Sequence, residues 1–118
     1  YVAIRNENHR KFAALIAPLG DKVYHFTAEG ISSFCLPFIF KDQKDMERLR
    51  ANCREAQIET RPIVGANLLR QPCFKAYGNY KDFPNAEILH QNGFYIGNNQ
   101  FVDDTRLNQL KEVIKRTF

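Results

Sequence analysis

The 118-residue sequence contains no tryptophan, one methionine and only three cysteines. Cys35, Cys53 and Cys73 stand 18 and 20 positions apart, with no CxxC pair among them. An odd, widely spread set of this kind is not a disulfide framework. It suits a reducing compartment, so a cytoplasmic location is expected. His9, His25 and His90 are equally scattered, and no metal site is expected from them. Long apolar runs are missing too. FCLPFIF, the longest at seven residues, falls far short of the ~18 that a membrane span needs. The opening YVAIRNENHRK has the features of neither a signal peptide nor a transit peptide, and no membrane association is expected. It also lacks an initiator methionine, which points to a fragment with further sequence upstream. Neither GxGxxG nor GxxxxGK[ST] occurs, and no nucleophile, base or carboxylate pair has a spacing from which catalytic geometry can be read. The chain alone is not expected to be a complete enzyme.

What is present suits one soluble domain over residues 1–118, with 44% hydrophobic and 25% charged residues. The net charge is +4, but the cations alternate with acids in DMERLRANCREAQ and DDTRLNQLKEVIKR. Such interleaving marks solvated helix faces, so nucleic acid is not the expected partner. In the first helix, Phe12, Leu15, Ile16 and Leu19 recur at helical spacing, and Pro18 ends the regular turns near Ala17. KVYHF predicts a short strand. SSFCLPFIF predicts a strand that is central or covered by helices, with Pro37 at an edge or bulge. A second helix is capped by Asp42 or Asp45 and buries Met46, Leu49, Cys53 and Ala56. A small core residue explains Cys53 better than a reactive thiol does. Pro84 starts a third helix that buries Ile88 and Leu89 and stops at Gly93; FYIG is a strand stub. Asp103 or Asp104 then caps a last helix with Leu107, Leu110, Ile114 and Phe118 on its buried stripe. The fold class is α+β: a small antiparallel sheet with helices on one side.

Three clusters carry possible chemistry. The segment IETRPIVGANLLRQP, residues 58–72, has no helical or strand periodicity and holds Arg61 and Arg70 on either side of Gly65 and Asn67. Guanidinium forks suit phosphate or carboxylate, and Asn67 both donates and accepts. The competing explanation is a surface loop whose arginines pair with Glu59 and Asp82. In GFYIGNNQF, the amides Asn98, Asn99 and Gln100 either form a turn or face a ligand, and the turn is the simpler reading. Phe74, Tyr77, Tyr80 and Phe83 lie among Lys75 and Lys81. They either stack bases or form a satellite cluster in which Phe74 meets Phe83, and the latter is commoner.

Residues 46–100 resemble the C-terminal domain of the DegT/StrS family of nucleotide-sugar aminotransferases and dehydrases. The resemblance rests on IETRP, GANLLRQP and PNAEILHQNGFYIGNNQ in that order, together with RNENHRKF, which is similar to the family's R-x-x-N linking helix. It covers nearly the whole chain and is weakest over residues 20–33. It implies the small domain of a homodimeric enzyme of fold type I, using pyridoxal or pyridoxamine phosphate on a 4-keto-6-deoxy sugar nucleotide. Such an enzyme would make deoxysugars for surface polysaccharide (lipopolysaccharide). The large cofactor-binding domain would lie upstream, with the cofactor-anchoring lysine or the histidine that replaces it in dehydrases. Arg61, Asn67, Arg70, Asn98 and Asn99 become candidates for holding the sugar nucleotide, and no residue of this chain is expected to be catalytic.

Within the family, GANLLRQP lacks the aromatic and histidine that aminotransferases carry before QP, and looks more like the 3-dehydrase form GN-x-x-x-x-P. Asn99 stands where those dehydrases have histidine in GNHQ, which puts that histidine's role in doubt here. The alternatives are a sugar aminotransferase of the same family and, from another class, a free-standing phosphate- or RNA-binding module. The exposed ends of the first helix, Val2 and Ile4, are expected to present apolar surface.

Overall fold

A computed structural model describes residues 1–26 and 29–118. Helix α1 spans Val2–Ile16 and runs on through 3-10 turns at Ala17–Lys22, where Pro18 interrupts the α-helical pattern. Strand β1 (Cys35–Ile39) precedes helix α2 (Gln43–Glu55), then the two-residue strand β2 (Arg61–Pro62). Three short 3-10 turns, Leu68–Arg70, Pro72–Tyr77 and Tyr80–Asp82, lead into helix α3 (Pro84–Asn92). Strand β3 (Gly93–Gly97) and helix α4 (Asp104–Thr117) complete the chain. All strand pairs are antiparallel, in the order β1-β3-β2, with Leu36 opposite Ile96, Phe38 opposite Phe94 and Arg61 opposite Tyr95. The expected α+β class is therefore observed.

Strand alternation puts Leu36, Phe38, Phe94 and Ile96 on one face, and α1, α2 and α4 bring Phe12, Leu49, Leu107 and Leu110 to the same core. Aromatic packing organises its centre. Phe12 meets Phe38 edge-on at 5.0 Å, and Phe38 stacks on Phe94 at 5.1 Å. Asp42 caps α2 by accepting from Lys44 N, and Asp103 caps α4 by accepting from Arg106 N. Cys53 is fully buried on the α2 stripe, as a core residue should be.

Several expectations need correction. FYIG is not a stub but the centre of the sheet, because α3 feeds it without a linker. Gly93 makes that junction possible: a Cβ there would meet Leu89 O at 2.7 Å and Ile63 Cγ1 at 2.8 Å. The proline-containing strand is therefore the edge strand β1, where Pro37 needs a partner on one side only. KVYHF contributes a single bridge, Val23 to Phe40, and the following Tyr24, His25 and Phe26 are exposed. Ile88 and Leu89 are half-buried, because the short α3 lies at the margin of the core. Phe118 is 36% exposed rather than buried, and it stacks on the buried Phe40 at 5.8 Å.

One polar knot joins the first helix to the last turn. Asn98, 3% exposed, donates through Nδ2 to Arg5 O (3.0 Å) and Ser33 O (2.9 Å). Its Oδ1 accepts from Asn8 Nδ2 at 3.2 Å, and the same Asn8 nitrogen reaches Val102 O at 3.1 Å. The R-x-x-N element thus acts here as a staple. Asn98→Ala strands these buried partners and is expected to cost about 1–3 kcal/mol in denaturant unfolding. A change under about 0.5 kcal/mol, the scatter of ordinary surface substitutions, would contradict the staple.

Candidate functional site

The irregular segment after β2 is built, not loose. Gly65 and Ala66 both take positive φ (69° and 45°), reversing the chain so that Ala66 N donates to Ile63 O at 3.0 Å. Asn67 follows, 2% exposed, and caps the next turn by accepting from Leu69 N at 3.2 Å. Its amide nitrogen donates to Tyr80 O (3.0 Å) and Glu87 Oε1 (2.7 Å), spending both hydrogens inside the protein.

Arg70 comes from the end of that turn and Glu87 from the first turn of α3. They form a two-pronged pair, Nε to Oε1 at 2.8 Å and Nη2 to Oε2 at 2.6 Å. The guanidinium also lies over the Tyr80 ring, 4.2 Å from its centroid. The expected partner Asp82 is thus replaced by Glu87, seventeen positions away, because α3 folds back beside the turn. Arg70's hydrogen bonds, with Asn67 assisting, hold the Glu87 carboxyl at about 2, well below its ordinary 4.5. Beside the pair, Leu69, Arg70, Lys75, Gly78, Asn79 and Tyr80 line an open cleft of about 490 Å³. All of residues 71–79 are exposed. Phe74 pairs with Tyr77 at 6.1 Å rather than with Phe83, which is 53% exposed, so the aromatics sit on the surface and not beneath the loop.

Arg61 does pair with Glu59, at 2.6 Å, and both side chains are largely exposed. Asn98 is consumed by the staple. Asn99 is exposed and makes a turn, its Oδ1 accepting from Phe101 N at 2.8 Å. The preference for a turn in GNNQ therefore holds. Of the five candidates, the structure joins Asn67 and Arg70 directly. Arg61 is carried on β2, whereas Asn98 and Asn99 lie beyond the far end of β3. Glu87 was missed in the sequence; a carboxylate in the first turn of a short helix looks like a simple partner for the helix dipole.

A larger cleft of about 710 Å³ runs along α1 past Glu7, His9 and Arg10. Its lining sets Glu7 and Glu29 against Arg10, whereas the smaller cleft is lined by Arg70 and Lys75 with no acid, so for an anion the smaller cleft is the better placed. Among the described residues, no group of three or more His, Cys, Asp or Glu side chains could hold a metal ion, and no helix is long and apolar enough to cross a membrane.

This is the fold of a domain found within pyridoxal-phosphate enzymes that act on nucleotide sugars. Structures of GDP-4-keto-6-deoxymannose 3-dehydratase share it. The E. coli enzyme with bound hydrated PLP matches at a TM-score of 0.80 and 27% identity, over 96% of this chain and 30% of that one. A mutant of the same enzyme type with bound GDP-perosamine matches at 0.79 and 27%, over 96% of this chain and 31% of that one. A Streptococcus pneumoniae chain in its PMP form, assigned as a sugar aminotransferase, gives 0.75 at 13% identity, over 99% and 31%, a likeness of fold alone. By sequence, the chain is 36% identical over 89 residues to GDP-4-keto-6-deoxy-D-mannose 3-dehydratase of Escherichia coli O55:H7, covering 71% of this chain and 23% of that protein. The chain is thus a homologue of part of the 3-dehydratases and spans under a third of their length. No family model matches it.

Two outcomes follow. Glu87 has its carboxyl lowered on folding, so the stability it contributes is complete above about pH 4.5 and disappears as pH falls toward 2. Denaturant midpoints should drop across that window, and Glu87→Gln should flatten the drop; an unchanged profile would show that the pair does not persist in solution. Burial pushes the Cys53 thiol up to about 11, whereas Cys73 is exposed. A thiol reagent at neutral pH should therefore modify Cys73 first and reach Cys53 only on unfolding.

Proposed function

We propose that residues 1–118 are the C-terminal small domain of a pyridoxamine- or pyridoxal-phosphate-dependent dehydrase of the DegT/StrS type, acting on a 4-keto-6-deoxy sugar nucleotide. The observation that carries this reading is the 36% identity to the E. coli 3-dehydratase, on a chain whose fold overlays that enzyme type at a TM-score of 0.80. The parent protein would be a cytoplasmic homodimer serving surface-polysaccharide synthesis. Tyr1, Val2 and Ile4, exposed by 79%, 55% and 42%, would be covered there by the remainder of the polypeptide or by the partner subunit.

The cofactor would be held elsewhere in that polypeptide. When bound, the cofactor would supply the electron sink by which the C3 hydroxyl is lost. This domain's part would be to bind and orient. Arg61, Arg70 and Lys75 are the cations available to the sugar diphosphate, and a planar guanidinium matches two phosphate oxygens at once. Among the described residues the Asn99 amide hydrogens meet no acceptor, which would leave them to a ligand. Asn67 and Asn98, whose amide nitrogens are used within the fold, would hold the two loops in place rather than touch substrate.

A sugar aminotransferase is the second reading, and GANLLRQP, without an aromatic and histidine before QP, weighs against it. A free-standing RNA- or phosphate-binding module has less support, since the basic residues of α2 and α4 alternate with acids as on solvated helix faces.

The test is an absorbance spectrum of the polypeptide that carries this chain, mixed with pyridoxal phosphate before and after borohydride. Cofactor that binds but washes away after borohydride is the expected result. Cofactor fixed covalently would reveal a lysine and the aminotransferase; no binding at all would overturn both.

A further inference from the structure

We infer that Glu87 is the positioning residue of a nucleotide-diphosphate site in the cleft of Leu69, Arg70, Lys75 and Tyr80, an inference that rests on the sugar-nucleotide reading above. The warrant is how Arg70 is held. Two of its nitrogens are engaged by the Glu87 carboxylate at 2.8 and 2.6 Å, and one face is covered by Tyr80 at 4.2 Å. Asn67 ties the same carboxylate to the turn that carries Arg70, at 2.7 Å. Gln91 Nε2, one turn further along α3, approaches its other oxygen at 3.5 Å. What remains of the guanidinium borders the cleft, where Lys75, in no ion pair among the described residues, supplies a second cation.

A surface arginine loses rotamer freedom when it takes up an anion; one already fixed at its Nε edge and one face loses much less. The carboxylate also cancels Arg70's charge, so the net attraction in the cleft comes from Lys75. The site then selects a ligand by the direction of Arg70's remaining N–H groups more than by charge alone. This separates positioning from simple electrostatics. Removing a negative charge beside an anion site should strengthen binding if charge alone matters. If positioning matters, the same removal weakens it.

The experiment is calorimetric titration of GDP into the polypeptide that carries this chain, comparing the unsubstituted protein with Glu87→Gln and Arg70→Lys. Glu87→Gln is expected to weaken GDP at least about tenfold while making its binding more salt-sensitive, since an unbraced arginine acts as a diffuse charge. Arg70→Lys should weaken it comparably. Unchanged or tighter binding in Glu87→Gln, with Arg70→Lys still weakened, would overturn the positioning role and leave the sugar-nucleotide reading standing. Failure of the unsubstituted protein to bind GDP would bring down both. In case Glu87→Gln perturbs the fold, a second measurement uses the 118-residue chain without ligand. The Arg70 Nε–H resonance should exchange slowly with water, and rapid exchange at neutral pH would equally overturn the inference.

Discussion

The irregular segment between β2 and α3 depends on one carboxylate. Residues 63–83 contain three short 3-10 segments, which have poor hydrogen-bond geometry and little tendency to persist alone. Glu87 reaches across from α3 and gathers the segment, taking hydrogen bonds from Asn67 and Arg70 while Asn67 binds on to Tyr80 O. A buried asparagine with no carboxylate to meet it would cost stability, and so would the reverse. Together they give a loop without periodicity a defined shape, and with it a defined position for Arg70.

The rest of the fold presents that loop. Strand β3 is central because α3 delivers it directly at Gly93, and β2, only two residues long, attaches the start of the loop to its margin. The Asn8–Asn98 staple fixes the opposite end of β3 against α1. The two polar networks therefore sit at the two ends of one strand, with the phenylalanine core between them. The networks hold loops that a core of this size cannot reach.

Much of this was legible in the sequence. The stripes of α2 and α4, their aspartate caps and the end of α1 near Ala17 followed from spacing and local chemistry, which report directly on helices. Pro37 signalled an edge strand correctly. The central place of FYIG was not legible, because pairing partners are distant and a short strand between glycines carries little pattern of its own. The KVYHF strand failed for a related reason: alternation alone does not supply a neighbour. Arg61 and Arg70 were singled out by residue type, but the pairing of Arg70 with Glu87 rather than Asp82 depends on how α3 folds back, which sequence distance disguises. Asn67 and Asn98 were expected to hold the sugar nucleotide. Only their saturated amide nitrogens, seen in three dimensions, show them holding the scaffold.

The claim at the centre of this account is that the face built from β2 and the following turns meets a sugar nucleotide. Backbone chemical-shift mapping of the chain during titration with GDP tests it most directly. The account predicts shifts concentrated at Arg61 and at residues 67–80, with the outer faces of α2 and α4 unmoved. Shifts confined to those helix faces, or none at millimolar GDP, would contradict it.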